Sequence, residues 1–178
     1  MNWFRLSLSL ASLAVLGTLT SCRGNSKEQE NLRISEITLE RIWTSCIGCG
    51  DYKVILRKEG SDPDKDVLVA YSEAKTDLRS GGLPRQSTLQ RKGRLRSSYF
   101  HRLAMLLDSQ GYFELKEHYG GRIDTLIVKT TAVRDGIRKA VLDNSDEGPI
   151  QLWGVEMAID GALARVEWEQ EQLKPLQP

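Results

Sequence analysis

Two cysteines separated by two residues are the most chemically suggestive feature of this sequence. The stretch reads Cys46-Ile-Gly-Cys49-Gly-Asp-Tyr52. Four chemistries use such spacing. A structural disulfide would form in an oxidising compartment. A redox pair needs a helix N-terminus to lower the first thiol's pKa. A zinc knuckle needs four ligands, and only His101 and His118 are left to complete one. Two free thiols, or pairing between molecules, is the fourth. The pair falls between two strand-like stretches, so no helix dipole is aimed at it. The reading carried forward is a Cys46–Cys49 bridge, with a thiol–disulfide oxidoreductase as the alternative.

Other candidates are sparser. His118-Tyr119-Gly120-Gly121 offers one imidazole, which reads as a surface or capping residue. Asp124 and Asp160 could divide general acid and base work, but nothing in their spacing brings them together. Asp160 reads as solvent-facing or paired with an arginine. No Gly-x-Ser-x-Gly, His-Glu-x-x-His or phosphate loop occurs. No catalytic residue, metal or cofactor is assigned. Tyr52, Tyr71, Tyr99, Phe100, Trp153 and Trp168 fall on periodic apolar faces and read as core.

Charge placement supplies a binding candidate. The chain of 178 residues carries 25 Lys+Arg against 24 Asp+Glu, which gives no global argument for nucleic acid. The charges are segregated, however. Arg79, Arg85, Arg91, Lys92, Arg94, Arg96 and Arg102 form a run without an acid, whereas Asp143 to Glu171 is acidic except for Arg165. The basic run would face anionic lipid or an acidic envelope partner, or the acidic block of its own domain.

The third cysteine has its own explanation. Residues 1–21 hold one charge, Arg5, and an apolar stretch from Leu6 to Leu16 broken by three serines. That is a signal peptide rather than a bilayer span, which needs about 20 apolar residues. It ends in Leu19-Thr20-Ser21-Cys22, which resembles the bacterial lipobox. The resemblance implies diacylglycerol transfer to the Cys22 thiol and a permanent bilayer anchor, because two or more acyl chains hold where one binds only marginally. Arg23, not Asp, follows the cysteine. By the same resemblance this directs the protein to the periplasmic side of the outer membrane in a host with two membranes. Residues 22–33 then read as a lipidated cysteine and flexible tether, spanning about 18 Å r.m.s..

A folded domain over residues 34–170 must position everything else, with 171–178 as a tail. Ile34 to Trp43 and Tyr52 to Arg57 alternate as strands, and Val67, Val69 and Tyr71 share a face of a third. Residues 75–93 read as a long basic loop. Ser97 or Ser98 would cap a helix with its apolar face at Tyr99, Phe100, Leu103, Leu106 and Leu107, stopped by Gly111. Leu126 to Val133 and Ile137 to Leu142 form a hairpin around Asp135-Gly136. Pro149 opens a final helix with two apolar stripes, one through Ile150, Trp153, Met157, Gly161, Ala164 and Trp168, the other through Leu152, Val155, Ile159, Leu163 and Val166. The order β-β-β-α-β-β-α predicts an α+β domain, an antiparallel sheet of about five strands with two helices on one face.

Together these features resemble a domain family of unknown function found in bacterial exported lipoproteins, whose opening motif is Cys-Gly-Cys-Pro-x-Tyr. The residues that carry it are Cys46 to Tyr52, the meander, the helix at Leu103, Asp124, the Asp-Gly hairpin and Pro149 through Asp160. Gly50 stands where the family has proline. The resemblance spans residues 34–168 and implies fold and location, not an activity. The expectation is a non-catalytic binding module on the bacterial cell envelope, held to the bilayer through Cys22.

Overall fold

The computed structural model describes residues 33–44, 49–60, 64–77, 85–121, 126–144 and 147–169. Cys22, Cys46, Arg79, Asp124, the signal peptide and nearly all of the tether and tail lie outside them. Eight strands form one sheet: β1 (Ile34–Trp43), β2 (Asp51–Arg57), β3 (Val67–Asp77), β4 (Arg85–Leu95), β5 (His118–Tyr119), β6 (Leu126–Arg134), β7 (Ile137–Asn144) and β8 (Glu167–Trp168). Helix α1 (Ser97–Ser109) follows β4, and α2 (Ile150–Leu163) follows β7. The spatial order is β5-β7-β6-β1-β2-β3-β4-β8. Every pairing is antiparallel except β5 with β7.

The α+β class and the two helices match the sequence reading, but the sheet has eight strands rather than about five. The largest correction is the basic loop. Its second half is β4, paired with β3 from Val67↔Leu95 to Asp77↔Arg85, and its first three residues end β3. The strand Arg-Gln-Ser-Thr-Leu-Gln-Arg-Lys-Gly-Arg-Leu has apolar side chains only at Leu89 and Leu95. It lacks the alternation that marks a half-buried strand. The other two additions, β5 and β8, hold two residues each, too few for any pattern to register.

Register divides the side chains between two faces. On β1, Ile37, Leu39 and Arg41 lie opposite Leu56, Val54 and Tyr52 of β2, and opposite Ala132, Thr130 and Val128 of β6. Both helices pack on this face. Asp108 of α1 binds Arg134 of β6 at 3.1 Å, and Asp160 of α2 binds Arg41 of β1 at 2.8 Å. A register shift between Ile34 and Glu36 returns Ile34 to the same buried side. The core includes Ile37, Leu39, Val54 and Leu56 from the sheet, Phe100, Leu103 and Leu107 from α1, and Leu152, Val155 and Ile159 from α2.

Two helix details differ from expectation. Neither Ser97 nor Ser98 caps α1. Arg96 holds the N-cap position without a side-chain bond, and Gly111 ends the segment in the left-handed region. On α2 the stripe through Leu152 is buried, whereas Ile150, Trp153 and Met157 are 71%, 48% and 46% exposed. Trp153 is therefore not core, and Trp168 lies beyond the helix on β8.

Candidate functional site

On the helix side, Arg41, Tyr52 and Asp160 form a compact polar cluster. Arg41 donates to Asp160 Oδ2 from Nη2 at 2.8 Å and from Nε at 3.1 Å. Tyr52 donates its phenolic proton to Asp160 Oδ1 and accepts from Arg41 Nε at 2.9 Å. Burial and the neighbouring Asp160 carboxylate push the Tyr52 pKa well above that of an ordinary phenol. Burial opposes the Arg41 charge, but Asp160 and Tyr52 outweigh it and raise the guanidinium's pKa. Tyr71 stacks on Tyr52 with ring centroids 5.8 Å apart, and its pKa is pushed up to about 12, by burial first and then by Glu73. Trp168 meets Tyr71 edge-on, and Arg91 sits 4.7 Å from its ring centroid. These groups satisfy one another, so the arrangement pins α2 and β8 to the sheet. It presents no activated nucleophile or base.

A second buried group was not foreseen. Glu156 is fully buried on α2 and accepts from the Thr130 hydroxyl at 3.3 Å. Tyr112 lies nearby and donates to the Thr130 carbonyl at 2.7 Å; burial and Glu156 raise its pKa. The sequence did carry a signal. Glu156 and Asp160 are the only charged residues of α2, four apart and thus on one helical face.

The opposite face of the sheet is different. No helix covers it among the described residues. Two carboxylates on β1 each lie between two cations. Glu36 binds Arg57 of β2 at 2.6 Å and Arg138 of β7 at 3.2 Å. Glu40 binds Lys53 of β2, and Lys129 of β6 at 3.9 Å. These two charge ladders cover Thr38 and Thr131, which are buried beneath them.

Beyond β2 the ladders stop and a trough begins. Three shallow depressions of about 250, 200 and 190 Å³ run end to end along β3. The first two share Lys53 and Ser72, and the second and third share Ile55, Ala70 and Lys92. The floor is Ala70, Ser72 and Ala74, whose side chains are too short to fill the space, with Leu68 at the end of the third depression. Lys53, Ile55 and Arg57 form one wall, and Thr88, Gln90 and Lys92 the other. Register places Lys53, Arg57, Lys92, Arg94, Lys129 and Arg138 on this face, against Glu36, Glu40, Asp51 and Glu167. Glu169 also lines the third depression and Glu59 binds Arg94 at 3.7 Å, so cations and carboxylates alternate over this surface.

The basic run is not gathered into one patch. Arg85 opens β4. Lys92 lines the trough and Arg94 lies on the same face, 3.7 Å from Glu59, whereas Arg91 turns to the helix side over Trp168. Arg96 lies 3.9 Å from Glu167, and Arg102 projects from α1 with its guanidinium 5.7 Å from the Tyr99 ring centroid. A strand splits consecutive cations between faces, where a loop would have let them converge.

Cys49 is disulfide-bonded and lies two residues before the start of β2. A bonded sulfur cannot serve as a zinc thiolate. His118 stands on β5 with its Nε2 3.0 Å from Asn144 Nδ2, and His101 lies on α1. Among the described residues no helix is long and apolar enough to cross a membrane, and no three His, Cys, Asp or Glu side chains gather as a metal site. No protein-family model matches the chain, and no curated protein matches it.

Proposed function

We propose that this chain is a bacterial cell-envelope lipoprotein of the uncharacterised exported family it resembles. Cys22 is acylated, and residues 34–170 form a non-catalytic binding module. Its partner surface is the open face of the sheet over β2, β3 and β4, and the partner is anionic. The observation that carries this reading is the trough. It has a floor of mostly small side chains, Lys53, Arg57 and Lys92 in its mixed walls, and no covering element among the described residues. The competing cluster around Asp160 has its donors and acceptors turned inward. Cys49 is bonded through a second sulfur to Cys46, a structural staple between β1 and β2.

The test is site-specific photocrosslinking in intact cells from two positions of the full chain. Ser72 lies on the trough floor, and Gln151 is exposed on α2. The expected result is an adduct from position 72 that position 151 does not give. Identical adducts from both, or none from position 72, would remove the reading. The anchor is tested separately. Cys22→Ser releases the protein from the membrane fraction, and the native N-terminal peptide carries the mass of diacylglycerol.

A further inference from the structure

The outer side of β4 is an unusual edge. It is 11 residues long, yet β8 pairs with it only at Gly93 and Arg94. The amide of Glu169 adds one more bond, donating to the Lys92 carbonyl at 2.9 Å. In an antiparallel ladder alternate residues turn both backbone groups the same way. The outward groups of Lys92 therefore place those of Gln90, Thr88 and Gln86 on the same edge. No strand pairs with that edge among the described residues. Unpaired edges are templates for a further strand.

The side chains say which strand fits. β4 carries Arg85, Arg91, Lys92 and Arg94 and no carboxylate. A second copy of β4 would bring like charges together across the ladder, which is destabilising. An acidic strand is complementary. The short strand already seated shows the pattern. Glu167 lies opposite Arg94 on the open face, and Trp168 lies opposite Gly93 on the other, against Tyr71 and Arg91. Gly93 permits this approach, because a Cβ there would lie 2.8 Å from the Glu167 carbonyl oxygen.

We propose that the outer edge of β4, from Gln86 to Gln90, is a strand-acceptor site that takes an acidic, extended segment of a partner polypeptide as a ninth strand. The inference rests on the binding-module reading and deepens it by naming the partner class. Backbone hydrogen bonds would supply the affinity, and Lys92 on the trough face with Arg91 on the other would favour acidic side chains.

The probe is a fluorescein-labelled synthetic peptide of alternating glutamate and valine, followed by anisotropy with the full chain in detergent. Saturable binding is expected. N-methylation of alternate amides should abolish it for the set that faces the edge and spare it for the other set. Gln90→Pro removes an outward amide that the ladder to β3 does not use, and proline is tolerated at such edge positions. It should abolish binding, whereas Gln90→Ala should leave it within twofold. Lys92→Glu should weaken it about tenfold. Equal binding by both N-methylated peptides, which requires no mutant to fold, overturns the proposal. So does stronger binding to vesicles containing anionic lipid than to the peptide. A chain ending at Glu169 should bind as the full chain does. Binding that emerges only after that truncation would show the chain's own end on the edge, and would also overturn the proposal. Crosslinking from position 72 with unimpaired Gln90→Pro binding sinks strand addition while leaving the open-face reading intact.

Discussion

Replacing Asp160 with alanine should loosen α2 from the sheet by an amount that distinguishes a buried lock from a surface pair. The substitution removes the acceptor for Arg41 Nη2 at 2.8 Å, Arg41 Nε at 3.1 Å and the Tyr52 hydroxyl. The Arg41 side chain is only 12% exposed and that of Asp160 25%. An exposed ion pair contributes about 0–1 kcal/mol, whereas orphaning one member of a buried pair costs about 3–5 kcal/mol. This cluster lies near the buried limit, so a loss of about 3 kcal/mol follows. Unfolding entropy is about 2.1 cal/mol/K per residue near 60 °C, so for a domain of this size the melting temperature falls by about 10 °C. Thermal unfolding followed by tryptophan fluorescence reads it directly. Tyr52→Phe, which removes a donor to Asp160 and an acceptor for Arg41, should cost about 2 kcal/mol. Its cost should shrink but not vanish once Asp160 is alanine, since the bond from Arg41 then remains. A drop below about 3 °C for Asp160→Ala would mean that water already solvates Arg41, and the account of this cluster as a pin would be wrong.

Alkaline pH should destabilise the domain. Tyr71 is pushed up to about 12, and burial raises Tyr52 and Tyr112 as well. Above about pH 10 the unfolded chain releases phenolic protons that the folded one retains. Stability is therefore fully present below that pH and lost above it, and a urea midpoint unchanged between pH 8 and 11 would contradict this. Gly120→Ala should cost about 2 kcal/mol or more. Its φ is +78°, and a Cβ would lie 2.3 Å from the Asn144 carbonyl oxygen; Gly121→Ala meets nothing within 4 Å, so equal urea midpoints for the two variants would refute the contrast. Reduction of the bridge at Cys49 should cost about 2 kcal/mol or less if it closes the short loop to Cys46. Its potential should lie below about −300 mV, and a value in the range of catalytic dithiols would instead favour redox exchange.

Much of the fold was legible because burial writes itself into periodicity. Ile34 to Trp43 was marked as a strand by alternation, Asp135-Gly136 as a hairpin by two residues with positive φ, and Gly111 as a helix stop. What failed to register is informative in physical terms. β4 lies next to the sheet edge over a trough, so neither of its faces needs a row of apolar side chains. Its cations and glutamines read as loop. On α2 apolar residues occupy every side, so the sequence could not say which stripe faces the sheet. Ile150, Trp153 and Met157 proved to be the outward one. The arginine partner of Asp160 was foreseen only as a type. Its identity, Arg41, depends on a contact between residues 119 apart in the chain.

The same physics is what favours one part of the open face as the proposed binding surface. Over β1 and β6 the open face is closed by its own chemistry. Glu36 and Glu40 draw in cations from both neighbouring strands, and those long side chains shield Thr38 and Thr131 from water. A partner there would have to break four ion contacts before making any of its own. Over β3 that cost is smaller, because Ala70, Ser72 and Ala74 leave the sheet surface bare, although Lys53 and Arg57 on the β2 wall are held by Glu40 and Glu36. Lys92 and Arg94 stand on the next strand, which is also the strand with an incompletely paired edge. Open floor, positive wall and unpaired backbone thus coincide along β3 and β4. An anionic partner meets the least desolvation and the most unsatisfied hydrogen-bonding capacity at that border.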